Sequence, residues 1–199
     1  MEGIEVQRQV GQLDALVWWW LYTLHRIYGV EEDEAQELVD KYYDLFPEIL
    51  EYKHDTLEFA RKHGYVTSPF GRKRELPYIN DQDHGYRSKA ERAALNMPIQ
   101  SAASDMLLCA LVIIVDAMRD NKFKSLVANT VHDSIMFDVY PGELDDLAWM
   151  CVEIMENVPT KYGPEWFPSL DFSWFTVPLV ADVEVGSHYG SVEEYDGFR

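Results

Sequence analysis

The sequence predicts an α+β fold, and three observations carry that expectation. Apolar residues recur at helical spacing through roughly the first sixty positions and again from about Ser88 to Asp120. Two short apolar runs, Leu126 to Val131 and Ile135 to Tyr140, flank the polar break His132-Asp133-Ser134 in the manner of a hairpin. The order is thus helices first, then strand, strand, helix and strand, which suits helices packed beside a small antiparallel sheet. With 47% apolar and 14% aromatic residues, a chain of 199 has enough apolar surface to bury a core.

Each element has its own warrant. Residues 11 to 28 read as a helix with the aromatic face Trp18, Trp19, Trp20 and Tyr22, stopped by Gly29, where a helix end favours glycine. The three tryptophans suit either the core of this chain or a surface on which another chain docks. Glu31 to Lys62 repeats the helical spacing through Leu38, Tyr42, Leu45 and Phe46, and Pro47 divides it into two helices. From Gly64 to Gly71 the pattern becomes a short β-ribbon turning near Pro69 and Gly71, followed by the cations Arg72, Lys73 and Arg74. Pro77 to Tyr86, with Asn80, Asp81, Asp83 and Gly85, reads as a loop. The helical region from Ser88 to Asp120 is expected to be interrupted at Pro98. After the hairpin, Leu144 to Asn157 is an amphipathic helix and Val177 to Val185 a last strand, with Val183 and Val185 alternating. No internal repeat or low-complexity segment occurs.

The N-terminus has no basic start ahead of an apolar stretch, so no signal peptide is expected. The apolar runs Ala15 to Leu24 and Met106 to Val115 fall short of the roughly 20 residues that span a bilayer. No membrane partner and a cytoplasmic location are therefore expected, and Cys109 and Cys151, without metal-type spacing, are expected as buried free thiols. A net charge of −18 argues against a nucleic-acid partner until its distribution is read. Between Arg61 and Arg92, eight Lys and Arg face four acids, a local balance of about +4. Phosphate contacts need only such a strip. A solvated basic loop would give the same count.

Three constellations carry candidate chemistry. Arg92, Asn96 and Gln100 stand at i, i+4 and i+8, placing one cation and two carboxamides along one helix face. Arginine suits phosphate, and amides suit the acceptors that all correct base pairs present in the minor groove; an ordinary exposed polar stripe is the plainer alternative. At the hairpin tip, Asp133 beside His132 could hold a divalent cation, since Mg²⁺ takes one or two carboxylates plus phosphate oxygens and water. Aspartate is also common in turns for local reasons. Arg72, Lys73 and Arg74 suit a phosphate clamp, or else a solvated charge cluster.

In order and approximate spacing, Gly64-Tyr65-Val66-Thr67, Gly71-Arg72-Lys73-Arg74 to Pro77, Glu91-Arg92-Ala93-Ala94 through Gln100, and Val131-His132-Asp133 closely resemble the C-terminal part of family A, polymerase I-like DNA polymerases. A phage-type member is expected. The resemblance covers roughly residues 29 to 190, reaching upstream through Glu34-Ala35-Gln36 and Tyr42 to Tyr52, and downstream to Val185-Gly186-Ser187.

This resemblance implies a helical, fingers-derived segment with a basic β-ribbon over residues 1–88, then the C-terminal half of a polymerase palm over 89–199. It implies that Arg92, Asn96 and Gln100, with Arg72, Lys73 and Arg74, bind primer–template DNA, and that His132 lies close to the primer terminus. Asp133 would be one of two aspartates holding a Mg²⁺ pair that activates the primer 3′ hydroxyl and steadies the pyrophosphate leaving group. The sequence also departs from the family. No convincing equivalent of the other metal-binding aspartate occurs, and residues 1 to 28 offer Arg8 but not the Arg, Lys and Tyr-Gly face of the nucleotide-binding fingers helix. Ser134 replaces the glutamate that usually follows Asp133; the related single-subunit phage RNA polymerases also have serine there.

The expectation is a split polymerase. An upstream polypeptide carrying the second aspartate and the fingers helix would complete a site for primer–template, dNTP and a shared Mg²⁺ pair, and this chain alone would not polymerise. A non-catalytic DNA-binding accessory module of polymerase descent is the competing reading. A truncated reading frame is a third, mildly disfavoured by the start at Met1 ahead of any motif.

Overall fold

A computed structural model of the chain describes Gly29, residues 31–188 and residues 190–198. The helix expected over residues 11 to 28, with its tryptophans, lies outside the described residues. The fold is α+β, with three separate two-stranded antiparallel sheets among the described residues. Two compact units divide the chain. One takes residues up to Thr67 together with Lys73–Pro98; the other takes Ser68–Arg72 and everything from Ile99 onward.

The first unit opens with α1 (Glu32–Leu45) and α2 (Pro47–His63), divided at Pro47 as the sequence predicts. Proline at the first helical position loses nothing, because that N–H has no intrahelical partner. Gly64 ends α2 at φ +77, its N–H donating to Ala60 O at 2.8 Å, and Arg61, Lys62 and His63 occupy the last turn, where the helix dipole favours cations. Strand β1 (Tyr65–Thr67) then pairs with β2 (Lys73–Glu75), Val66 opposite Arg74. Lys73 and Arg74 therefore lie within the returning strand of the ribbon rather than beyond it. Leu57, Ala60, Val66, Leu76, Ile79, Ala90, Ala94, Leu95 and Met97 form this unit's core.

Helix α3 (His84–Asp120) begins within the stretch expected as a loop. Asp83 explains the early start: its Oδ1 accepts the N–H groups of Gly85 at 2.7 Å and Tyr86 at 3.2 Å, capping donors that a helix N-terminus otherwise leaves open. Pro98 lies inside α3 without interrupting it, contrary to the sequence expectation. One absent donor costs less than losing the turn before it, whose Ala94, Leu95 and Met97 are all buried. The Tyr52 hydroxyl also donates to Leu95 O at 2.8 Å, next to the position where proline withholds a hydrogen bond. Burial pushes the Tyr52 phenol above its ordinary range.

In the second unit, Met106, Cys109, Ala110, Ile113, Ile114 and Met118 repeat at helical spacing along α3. They share a core with Leu147, Met150, Cys151 and Ile154 of α4 (Leu144–Asn157) and with Val158, the first residue of a π-helical turn, Val158–Tyr162. A short helix α5 (Gly163–Trp166) follows. By length and composition α3 is apolar enough to cross a bilayer, although neither apolar run of the sequence is long enough alone; here its apolar stripe is core. Both cysteines are buried free thiols, and burial pushes Cys151 up to about 12.

Strands β3 (Leu126–Val131) and β4 (Ser134–Asp138) form the expected hairpin, with an irregularity between Val127 and Asn129. Glu143 fixes its base. The carboxylate accepts the N–H groups of Lys124 and Ser125 and, at 2.7 Å, the Ser125 hydroxyl, while Tyr140 N–H donates to that same hydroxyl at 2.9 Å. The strand expected over Val177 to Val185 does not form there. Residues 177–183 are irregular, and β5 (Glu184–His188) instead pairs with β6 (Ser191–Glu194). Pro178 has no N–H for a ladder, and Ala181 N–H is taken by the Glu156 carboxylate at 3.1 Å.

Candidate nucleic-acid interface

In the first unit, Ala90, Ala94 and Met97 turn into the core while Arg92 and Asn96 are exposed on the other side of α3. The alternation follows from 3.6 residues per turn. Glu91 is held by Arg61 at 2.8 Å, so that carboxylate is neutralised. Among the described residues, none engages the polar ends of Arg92 or Asn96. Gln100, likewise exposed, belongs to the stretch of α3 in the second unit.

The three consecutive cations have different surroundings. Lys73 pairs with Glu75 at 2.7 Å, and its Nζ lies 3.9 Å from the centre of the Tyr65 ring. Arg74 is exposed and meets no carboxylate among the described residues. Arg72 belongs to the second unit, where its guanidinium donates to Asp105. There Ser68-Pro69-Phe70-Gly71 makes a tight turn: Gly71 N–H donates to Ser68 O at 2.9 Å, with proline and glycine at the positions such turns favour, and Gly71 at φ +85. The Ser68 hydroxyl donates to Asp105 at 3.2 Å and accepts Arg72 N–H at 3.1 Å.

Sequence reasoning did not find Asp105. A carboxylate only 9% exposed, within an apolar stretch of helix, needs a cation, and that requirement was the available signal. An open depression of about 400 Å³ lies beside this cluster, lined by Phe70, Gly71, Arg72, Asp105, Leu108, Cys109 and Leu170. Burial first, and then the nearby Asp105 charge, raises the Cys109 thiol.

His132 and Asp133 form the two-residue tip of the β3–β4 hairpin, and both are exposed. His132 has φ +54, a left-handed backbone that costs a side chain other than glycine roughly 1–2 kcal/mol. Such strain concentrates at functional positions. The Ser134 hydroxyl donates to Val131 O at 2.8 Å, closing the turn beneath the tip. Ser134 thus has a local structural partner. Among the described residues no three metal-ligating side chains come together, so Asp133 offers one carboxylate and not a complete cage.

An exposed Arg92 and Asn96, a basic ribbon and a hairpin tip presenting His-Asp are the candidate features that the described residues present. The family model for DNA polymerase family A matches residues 21–191, and the chain belongs to that family. It is 32% identical over 155 residues to DNA polymerase I of Caldicellulosiruptor bescii, covering 73% of this chain and 18% of that protein. It is 33% identical over 165 residues to the DNA polymerase of Bacillus phage SP01, covering 83% of this chain and 17% of that one. Among solved structures, the POL domain of Pol1 from M. smegmatis, in complex with DNA primer-template and dNTP, aligns at a TM-score of 0.65 and 30% identity. That alignment covers 79% of this chain and 28% of the other. The chain thus spans less than a fifth of the length of these curated relatives.

Proposed function

We propose that this chain is the C-terminal portion of a split family A DNA polymerase, contributing template–primer contacts and one metal-binding aspartate to DNA-directed nucleotidyl transfer. Residues 1–88 are its fingers-derived part and 89–199 the C-terminal half of its palm. The observation that carries this is the exposed His132-Asp133 tip, strained at His132 and closed by Ser134, in a chain of family A. The upstream polypeptide provides the second aspartate and the nucleotide-binding helix, in the cytoplasm of a bacterial or phage-infected cell.

Asp133 suits Mg²⁺, which is satisfied by one or two protein carboxylates when phosphate oxygens and water supply the rest. Asp133 would hold one such ion, and the metal would supply activation of the primer hydroxyl and charge stabilisation for the leaving pyrophosphate. His132 stands next to the primer end. Arg92 takes a phosphate, and Asn96 and Gln100 donate to minor-groove acceptors common to all correct pairs, testing pair shape and not sequence. Arg74, unpaired by any described carboxylate, contacts the DNA backbone; Lys73 and Arg72 assist with the donors that Glu75 and Asp105 leave open.

The test is native co-purification with mass spectrometry, followed by primer extension with Mg²⁺. A stoichiometric partner carrying the missing aspartate, and extension only by the pair, is the expected outcome. Asp133→Asn should abolish extension by the pair while leaving primer–template affinity within about twofold. A chain that binds primer–template yet never extends it with any co-purifying protein would favour the accessory module.

A further inference from the structure

Tyr78 and Tyr86 are stacked on each other, ring centres 5.4 Å apart and planes 29° from parallel, yet they remain 53% and 58% exposed. Both belong to the first unit, and neither was singled out in the sequence. Aromatic rings this large usually bury most of their surface. Here two of them are held together in water by a well-fixed frame.

Tyr78 lies between Leu76 and Ile79, each 3% exposed, and two successive turns set its backbone: Ile79 N–H donates to Leu76 O, and Asp81 N–H to Tyr78 O. Tyr86 sits in the first turn of α3, where its own N–H is capped by Asp83. Arg87 locks the two halves together by donating to the Asp81 carbonyl at 2.9 Å. The rings are therefore positioned by backbone contacts, and their hydroxyls have no partner among the described residues.

The same segment carries three cations and three acids. Arg74 and Lys89 are exposed close by in sequence, and Arg87 adjoins Tyr86. Glu75, Asp81 and Asp83 are the opposing acids; Glu75 is paired with Lys73, and the Oδ1 atoms of Asp81 and Asp83 are occupied by backbone N–H groups. In a chain of net charge −18, a preset aromatic pair inside the basic window has a specific chemical match. Bases stack on exposed aromatic faces irrespective of sequence, while cations follow the phosphates, which is how proteins hold single strands.

We propose that Tyr78 and Tyr86 form a stacking platform for unpaired DNA bases, with Arg74, Arg87 and Lys89 along the phosphates. The occupant is the single-stranded template overhang, an assignment that rests on the primer–template reading above. It is a site for unpaired bases, distinct from the minor-groove face of Arg92 and Asn96.

The experiment uses the full chain and fluorescence anisotropy with three probes: a blunt duplex, the same duplex with a ten-nucleotide 5′ overhang, and oligo(dT) alone. The overhang should tighten binding by roughly fivefold or more, the effect of one stacked base. Tyr78→Ala with Tyr86→Ala should remove that increment and leave blunt-duplex affinity unchanged. The doubly Phe-substituted chain, which keeps the rings, should retain it. An overhang carrying 5-iododeoxyuridine should photocrosslink to a peptide containing Tyr78 or Tyr86. Equal affinity for blunt and overhanging duplex overturns the platform while leaving duplex binding intact. Binding to none of the probes overturns both readings. If the Ala variant melts well below the parent and the overhang adds nothing, the rings are covered by another part of the protein and the platform is wrong.

Discussion

Glu143 shows how one carboxylate can fix a hairpin at its base. Partial burial raises its affinity for a proton, but the Lys124 N–H, the Ser125 hydroxyl, the Ser125 N–H and the Lys124 charge together outweigh that and hold it below the ordinary 4.5. A carboxyl group depressed by folding stabilises the fold when ionised, so its contribution is fully present above about pH 4.5 and disappears as pH falls through the lower, folded value. Thermal melts from pH 7 to pH 2 should therefore show Glu143→Gln less stable than the parent at neutral pH, with the difference closing below pH 4.5. A constant difference across that range would mean that the charge of Glu143 does not matter. The positions of the candidate residues on an exposed helix face and a hairpin tip were legible because their spacings are local. Arg92 and Asn96 are one turn apart, and His132-Asp133 sits between two apolar runs. Asp105 and the tyrosine pair were not, since Arg72 and Asp105 are 33 residues apart and nothing in periodicity joins them.

Among the elements, the π-helical turn and α5 leave no room for a side chain at Gly163. A Cβ on Gly163 would come within 2.5 Å of Val158 O and 2.6 Å of the Phe172 ring. Phe172 is 4% exposed and packs edge-on to Phe70 at 5.0 Å, so neither the carbonyl nor the ring has room to yield. Gly163→Ala should destabilise the chain by about 1–3 kcal/mol, measured by urea unfolding, the usual cost of overpacking a filled core. Elements with strong periodicity and a clear punctuator were read almost to the residue: Pro47 divides α1 from α2, and α4 spans Leu144–Asn157 as expected. The errors share one cause. Pro98 was weighed as a local breaker, whereas the buried residues of the preceding turn keep the helix going. Val183 and Val185 suggested a strand by alternation, but the ladder that forms, β5 with β6, is mostly polar and exposed and carries little hydrophobic signal.

On the scale of the whole chain, the second unit borrows Ser68–Arg72 from a stretch otherwise belonging to the first. Those five residues bring Phe70 to its core and both hydrogen-bond partners to Asp105. Residues 99–199 expressed alone would leave that carboxylate buried without them, and leaving a buried charge unpaired is strongly destabilising. Calorimetry should find the fragment melting lower than the full chain, or without a cooperative transition; an equal melting temperature would show the turn to be dispensable. The path of the chain crosses from one unit to the other after Thr67, after Arg72 and after Pro98. No single cut in the gene can therefore separate two intact halves. Recombination that exchanged the part after Pro98 between two members of the family would join a helix to a foreign turn, and the hybrid would inherit Asp105 from one parent and its arginine from the other. The two positions are thus expected to vary together among relatives, although 33 residues separate them.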